Sequence, residues 1–405
     1  MKILQVISTP PLAWGTGGCA RYVYELSMQL VKMGHSVTMA TTDILDSKNR
    51  QLVQRNPVDM DGITVYRFKN ISNSVAWKYK LYLSPGLILY LWRHIRDFDI
   101  VHLQDILSPQ AIATARYCKR YGVPYILNTH GSAYWFTQEK ATHQLAYALF
   151  GKKIIENSAV VIAIADSELA QQTEIGVPKS KITIIPSGLD VSRFDSLPSK
   201  GTFRRKYNLG TEKIVLFLGR IHKRKGIDFL IRAFDLVARE RTDCILVIAG
   251  PDDGYRTDIE RLVEETGLAE RVKLVSFVED EREAYVDADI LVYPAIHEIF
   301  GLVPFEATLC GTPVIVTDDC GCGEIVKRAD CGLLVKYGDI HDLKCKISDL
   351  LDSNERMNLV RRGREYIRSN LSCRVVAKRV EDVYIRCVDS PKASEVSNPN
   401  LPLQQ

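Results

Sequence analysis

The sequence predicts an α/β protein of two Rossmann-like domains built on parallel sheets, and three observations carry that prediction. The chain has 405 residues, enough for two cores. Twice, from Met1–Ile7 and again from Ile214–Gly219, a short apolar run leads through a glycine-bearing loop into a stretch with helical spacing. Third, Ala288–Glu324 spells out a complete βαβ unit: the run Ile290–Tyr293, a loop, a short helix and a second run at Val314–Val316.

Composition narrows the class. Apolar residues make up 46% and charged residues 25%, the balance of an ordinary globular protein. Met1–Ile7 reads as a buried strand rather than a signal peptide. No apolar run reaches the roughly 18 residues of a membrane span. The ten cysteines have no metal-site spacing; Cys320-x-Cys322 is the one close pair, and reduced cytoplasmic thiols are expected. Net charge is +4, split as +6 over residues 1–195 and −2 over the rest, so the first half is the candidate for an anionic partner.

Taken in order, Met1–Ile7 is followed by the loop Thr9–Gly18, whose glycines let backbone approach a phosphate or sugar closely. Val23, Leu26, Leu30 and Met33 then mark a helix closed by Gly34, and His35–Ala40 is the next strand. As a dinucleotide fingerprint the loop fails, because GTGGxAR is not GxGxxG and no acid ends the second strand.

Residues 64–96 hold six cations (Arg67, Lys69, Lys78, Lys80, Arg93, Arg96) and no acid, with Trp77, Tyr79, Tyr82, Tyr90 and Trp92 among them. A solvated helix face over a core and weak attachment to a membrane surface both fit; nucleic acid fits poorly with so modest a net charge. Strands follow at Asp99–Leu103 and Pro124–Gly131, the second ending in His130. A histidine there is either a satisfied structural residue or, at the carboxyl end of a parallel strand, a ligand contact. Val160–Ala165 and Ile182–Ile185 continue the pattern, and a linker near Ser187–Gly201 ends the domain.

The second domain opens with the strand Ile214–Gly219. Gly219–Gly226 puts four cations in eight residues, which are solvated unless a diphosphate uses them. Ile227, Leu230, Ile231, Phe234 and Val237 share one helix face. After the strand Cys244–Gly250, Asp252-Asp253-Gly254 suits a turn better than a metal. Val272–Val275 is another strand, with Phe277-Val278 in its loop. In the βαβ unit, Pro304 can open the helix and Gly311 close it. Glu306 falls in the first turn, where an acid also simply favours the helix dipole. Glu298, in the preceding loop, is a surface charge or a site residue. Helices are expected near 339–351, 355–368 and 373–387, and residues 389–405, polar and proline-containing, are expected to be disordered.

Glu298-x-Phe300-Gly301-Leu302…Glu306-Ala307, then Gly311-Thr312-Pro313, resembles the E-x7-E signature of the GT4 family of retaining glycosyltransferases, which have the GT-B fold. Gly219-Arg220…Lys225-Gly226 is similar to the family's GRxxxxKG element, and Ile185–Asp190 to its IPNGID segment, with Ser187 where Asn is usual. The resemblance spans roughly residues 1–388. It implies two domains facing across a cleft, 1–195 on the acceptor side, completed by the helix at 373–388, and 196–372 on the donor side. It implies His130, Arg220, Lys225 and Glu298 as catalytic residues. Gly17, Gly18, Val278, Phe300, Gly301, Leu302 and Glu306 are counted as donor-binding, although the family sets the glycine loop toward the acceptor. Arg220 and Lys225 are expected on the diphosphate, Glu306 on the ribose, and Glu298 and His130 on the sugar. The expected activity moves a sugar from a UDP- or GDP-linked donor to a glycan or lipid-linked acceptor in cell-surface polysaccharide or glycolipid synthesis, with retention and without metal or other cofactor. The expected location is cytoplasmic, on the inner face of the membrane if attached. A nucleotide-sugar epimerase of the same fold and a non-catalytic nucleotide- or glycan-binding protein are the alternatives.

Overall fold

The apolar runs become two sheets. A computed structural model describes residues 1–11, 18–46, 48–51, 55–79, 81–132, 141–296 and 298–389. The chain divides into two units. The first takes Met1–Ile164, Glu168–Gly188 and the chain from Cys373 on; the second takes Leu189–Ser372 with Ala165–Ser167. The division after Gly188 differs from the expected 195, because Leu189 already donates its N–H to the Leu371 carbonyl of the second unit.

Unit one is an eight-stranded sheet of β1 (Lys2–Val6), β2 (Ser36–Thr42), β3 (Val58–Met60), β4 (Ile63–Phe68), β5 (Ile100–Leu103), β6 (Tyr125–Asn128), β7 (Val160–Ala163) and β8 (Ile182–Ile184). The order is β3-β4-β2-β1-β5-β6-β7-β8; only β3 runs antiparallel to its neighbour. Both faces are covered, which is why the strands read as continuous apolar runs and not as alternation. On one face Ile3, Ile100 and Ile126 pack with the helix Gly18–Lys32 and with Val376, Val380 and Tyr384 of the helix Cys373–Asp389. On the other, Leu4, Val101 and Leu127 pack with Leu87, Leu91, Ala111 and Ile154 from three further helices. Each such fully buried aliphatic side chain contributes about 1.5–3 kcal/mol.

The basic, aromatic stretch at 64–96 divides between a strand and helices, and Lys69, Lys78, Arg93 and Arg96 are exposed. Its first residues are β4, where Arg67 is buried, and Tyr90 leans on Tyr66 with ring centroids 4.6 Å apart. Lys80, Gly17 and the tail from residue 390 lie outside the described residues.

Unit two is a six-stranded parallel sheet of β9 (Lys213–Leu218), β10 (Cys244–Ala249), β11 (Val272–Val275), β12 (Ile290–Tyr293), β13 (Val314–Thr317) and β14 (Leu333–Val335), in the order β11-β10-β9-β12-β13-β14. The order reverses between β9 and β12, so the crevice beyond their carboxyl ends is a topological switch point. The helix expected to carry Ile227, Leu230, Ile231, Phe234 and Val237 on one face forms as Ile227–Glu240, and all five are buried. All ten cysteines are free thiols. Among the described residues no helix is long and apolar enough to cross a membrane.

Candidate active site

Loops leaving β9 and β12 meet at the switch point of unit two. From the first, Lys225 ends a single 3-10 turn, and Gly226, with φ +64°, starts the next helix. A side chain at Gly226 would run into the Pro294 carbonyl oxygen, so glycine is what lets this loop lie against the end of β12. From the second loop comes Glu298. The Lys225 ammonium donates to Glu298 Oε2 and to the Tyr293 hydroxyl, the latter at 2.7 Å, and Tyr293 donates to the same Oε2 at 3.0 Å. Burial alone would raise the Glu298 carboxyl, but the Lys225 charge and hydrogen bond, then Tyr293 and Arg220, outweigh it and hold Glu298 below the ordinary carboxylate range. Burial and the Glu298 charge push the Tyr293 phenol well up, so it stays a proton donor.

Sequence reasoning put Lys225 on a diphosphate; in the structure two of its three N–H groups serve Glu298 and Tyr293. Arg220 is half exposed and ion-paired to Asp253 at 2.5 Å. Its neighbour Asp252 accepts the Gly254, Tyr255 and Arg256 amides, the turn role expected of it.

Beyond Glu298, Gly301 has φ +74° and packs beside Tyr293 and Glu298, where an added side chain would sit within 3.2 Å of both. Phe300 is buried, and Leu302 precedes the helix Val303–Cys310, whose N-terminus has no side-chain cap. Glu306 lies buried in its first turn and accepts the Tyr285 hydroxyl at 3.1 Å. Val278 is half-buried in the loop after β11, next to the exposed Phe277.

In unit one the order turns between β1 and β5, and the residues beyond these strands are polar. Asp105 accepts the hydroxyls of Ser8 (2.5 Å) and Ser108 (2.6 Å); burial pushes its carboxyl up while those hydroxyls pull it back. His130, after β6, has a left-handed backbone (φ +46°), and its flanks are held by one carboxylate: Glu168 accepts the Thr129 hydroxyl (2.6 Å) and the Gly131 amide (2.6 Å). Its Nε2 lies 2.8 Å from Gln104 Oε1. Burial lowers the His130 pKa to about 4, so the ring is neutral at ordinary pH. Gly18 is the first residue of its helix.

Tyr293, Tyr285, Asp105, Gln104 and Glu168 were missed by sequence reasoning. For Tyr293, Gln104 and Asp105 a signal existed, since each ends or follows a parallel strand at its carboxyl end. Tyr285 and Glu168 sit within helices and gave none.

Two family models match in succession: Glycosyltransferase Family 4 over residues 16–193 and Glycosyl transferases group 1 over residues 199–366. Among curated relatives, an uncharacterized glycosyltransferase of Methanocaldococcus jannaschii is 28% identical, with 95% of this chain and 98% of the relative covered. A D-inositol 3-phosphate glycosyltransferase of Catenulispora acidiphila is 28% identical over 97% of this chain and 96% of its own length. Among solved structures, Anabaena HepE in complex with UDP and glucose superposes with TM-score 0.75 at 16% identity, covering 95% of this chain and 99% of HepE. Sucrose-phosphate synthase from Thermosynechococcus elongatus gives 0.74 at 23% identity over 95% and 98%. These likenesses show the GT-B fold.

Proposed function

Because the chain belongs to the group 1, family 4 type of glycosyltransferases, we propose that it is a retaining transferase that moves a sugar from a UDP- or GDP-linked donor to a hydroxyl of a glycan or lipid-linked acceptor in cell-surface polysaccharide or glycolipid synthesis. The observation that carries the reading is the Lys225–Glu298–Tyr293 cluster at the switch point of unit two. HepE, of like fold, was solved with UDP and glucose, which supports a nucleotide-sugar donor.

In this mechanism the diphosphate leaves with developing negative charge, and fixed positive potential lowers the barrier. Lys225 holds Glu298 ionised with one N–H group, gives a second to the Tyr293 hydroxyl and offers the third to the diphosphate. Arg220 joins it by exchanging Asp253 for phosphate, which its planar fork accepts well. The uncapped N-terminus of Val303–Cys310 adds backbone amides. Glu298 accepts sugar hydroxyls through its second oxygen and Glu306 the ribose hydroxyls, and Val278, Phe300, Gly301 and Leu302 shape the donor pocket of unit two. In unit one, neutral His130 is assigned to a sugar hydroxyl and Gly18 to close approach of the backbone. Attack on the same face as departure, with the leaving phosphate taking the acceptor proton, gives retention with no carboxylate nucleophile beneath the sugar.

No metal ion or other cofactor is assigned a step. Asp252 and Asp253, the acids nearest the cationic loop, are already committed to a turn and to Arg220. Full turnover in excess EDTA, and an α-linked product from an α-linked donor by NMR, are the expected results. Rescue of lost activity by Mg²⁺ would overturn metal independence, and a β-linked product would overturn retention. Thermal stabilisation by UDP- against GDP-sugars identifies the donor; stabilisation with neither transfer nor hydrolysis of any nucleotide sugar would point to the non-catalytic alternative.

Unit one also offers a surface for peripheral attachment to a cytoplasmic membrane leaflet. The helices Pro85–His94 and Pro109–Tyr121 pack together and frame an apolar groove of about 360 Å³ lined by Pro85, Ile88, Leu89, Trp92 and Tyr117. Leu89 and Trp92 are 44% and 48% exposed, and Arg93, Arg96, Arg116, Lys119 and Arg120 are exposed on the same two helices and the turn between them. Apolar side chains ringed by cations suit anionic lipid.

A further inference from the structure

We propose that Gln104 is the positioning residue that sets which ring nitrogen of His130 carries the proton, and that it holds its own orientation through Gln5 and Tyr384. The functional consequence rests on the reading above that His130 contacts the donor sugar; the proton placement does not.

The observation is a line of polar side chains inside an apolar layer. Gln5 on β1, His102 on β5, Gln104 just after β5 and His130 just after β6 point to the same sheet face as Ile3, Ile100 and Ile126. That face is covered by the helix Cys373–Asp389, which brings in Tyr384. Gln5, His102 and Tyr384 have no accessible surface, and Gln104 has 3%. Uncompensated polar groups in such a layer are costly, so each must be partnered.

The partners run head to tail. His130 Nε2 meets Gln104 Oε1 at 2.8 Å; Gln104 Nε2 donates to Gln5 Oε1 at 2.8 Å; Gln5 Nε2 donates to the Tyr384 hydroxyl at 3.2 Å; and that hydroxyl meets His102 Nδ1 at 2.8 Å. An amide offers an acceptor at one end and donors at the other, so two amides in series transmit one sense only. With Gln104 presenting its oxygen, His130 must donate from Nε2. Its Nδ1 is then a bare acceptor for a sugar hydroxyl. At the far end the Tyr384 hydroxyl gives its proton to His102 Nδ1.

Burial keeps both rings neutral, His130 near pKa 4 and His102 near 3, so protonation does not blur the choice of nitrogen. Glu168 meanwhile holds both neighbours of His130, Thr129 by its hydroxyl and Gly131 by its amide, leaving the ring proton as the variable that the line of side chains controls. The one competing state reverses every link at once and places the His130 proton on Nδ1. Both states make the same four hydrogen bonds and differ at His102 Nε2, which has no partner among the described residues and is an N–H in the first state and a bare acceptor in the second; the orientation of the two amides is what selects the first.

The test uses the full chain labelled with 15N-histidine, with the His130 signals assigned by their loss in His130→Ala. Wild type is expected to show a protonated Nε2 and an unprotonated Nδ1. In Tyr384→Phe, which keeps the ring packing, the Gln5 amide loses its acceptor and the two His130 tautomers are expected to interchange and average. Gln104→Glu keeps an acceptor facing His130 and is expected to retain the Nε2–H form. For transfer, Tyr384→Phe should lower kcat about tenfold, a typical effect of a group that orients a histidine, with the donor KM within about twofold. A protonated Nδ1 in wild type, or an unchanged tautomer in Tyr384→Phe, overturns the proposal. A shifted tautomer with unchanged kcat overturns the positioning role. Tautomers as expected, in a wild-type protein that transfers nothing from any nucleotide sugar, would instead defeat the reading of function and leave the proton placement standing.

Discussion

Glu298 shares one carboxylate oxygen between an ammonium and a phenol, and this arrangement has consequences that can be measured. Lys225→Ala is expected to lower kcat about a hundredfold, the scale of losing one donor to developing charge, and steady-state kinetics with the cognate donor check it. A change in KM alone would reduce Lys225 to a ground-state clamp. Tyr293→Phe removes a hydrogen bond that favours the ionised form of Glu298, so the acid limb of the pH profile should move to higher pH. The same shift bears on stability. The folded carboxyl titrates below its ordinary value, so its contribution is fully present above the ordinary carboxylate range and is lost as pH falls through the folded value. Glu306→Ala should weaken nucleotide binding by about 1.5–3 kcal/mol if its carboxylate holds the ribose, and calorimetric titration decides. Glu298 and Glu306 stood out in the sequence through the resemblance to the E-x7-E signature, since alone they read equally as a surface charge and an acid favouring the helix dipole. Tyr293 looked like any aromatic at a strand end, since only its position against Lys225 gives the hydroxyl a task.

At the scale of elements, the loops that carry the site depend on particular backbone conformations. Gly226 combines a left-handed φ with contact against the Pro294 carbonyl, so Gly226→Ala should cost at least the 1–3 kcal/mol of a strained backbone, read as a lower urea midpoint. Ser108 precedes the helix Pro109–Tyr121, and its hydroxyl accepts the Ala111 amide at 3.1 Å while donating to Asp105. Ser108→Ala should cost about 1 kcal/mol as a lost cap. Most of the elements were legible, because runs such as Cys244–Ala249 and faces such as that of Ile227–Glu240 follow the two hydrophobic periods. The short β3 and β14, at sheet edges, have few fully buried residues and too little pattern to announce themselves. Within the segment 64–96 composition does not separate Arg67, buried on a strand, from Arg93, exposed on a helix.

On the scale of the whole molecule, the +6 charge of residues 1–195 acquires a place only after folding. Arg93 and Arg96 join Arg116, Lys119 and Arg120, from a helix outside the stretch that composition singled out. Binding to anionic vesicles should be weak and salt-sensitive, at about 1 kcal/mol per cation near the surface. Trp92→Ala and Arg116→Glu should each reduce co-sedimentation at low salt, and wild type that stays in the supernatant there would leave these helices as an ordinary solvated surface. The return of the last helix to unit one has a different consequence, in the order of synthesis. Val376, Val380, Val383 and Tyr384 complete a core whose earliest members, Ile3 and Val23 among them, leave the ribosome more than 300 residues before them. Unit two, nearly contiguous from Leu189 to Ser372, has all its strands in hand before that helix exists. The nascent first unit must therefore wait with one apolar face of its sheet only partly covered until that helix is made, exposed to aggregation in the meantime. A stop codon placed after Ser372 should yield a chain whose first half is protease-sensitive while Leu189–Ser372 resists.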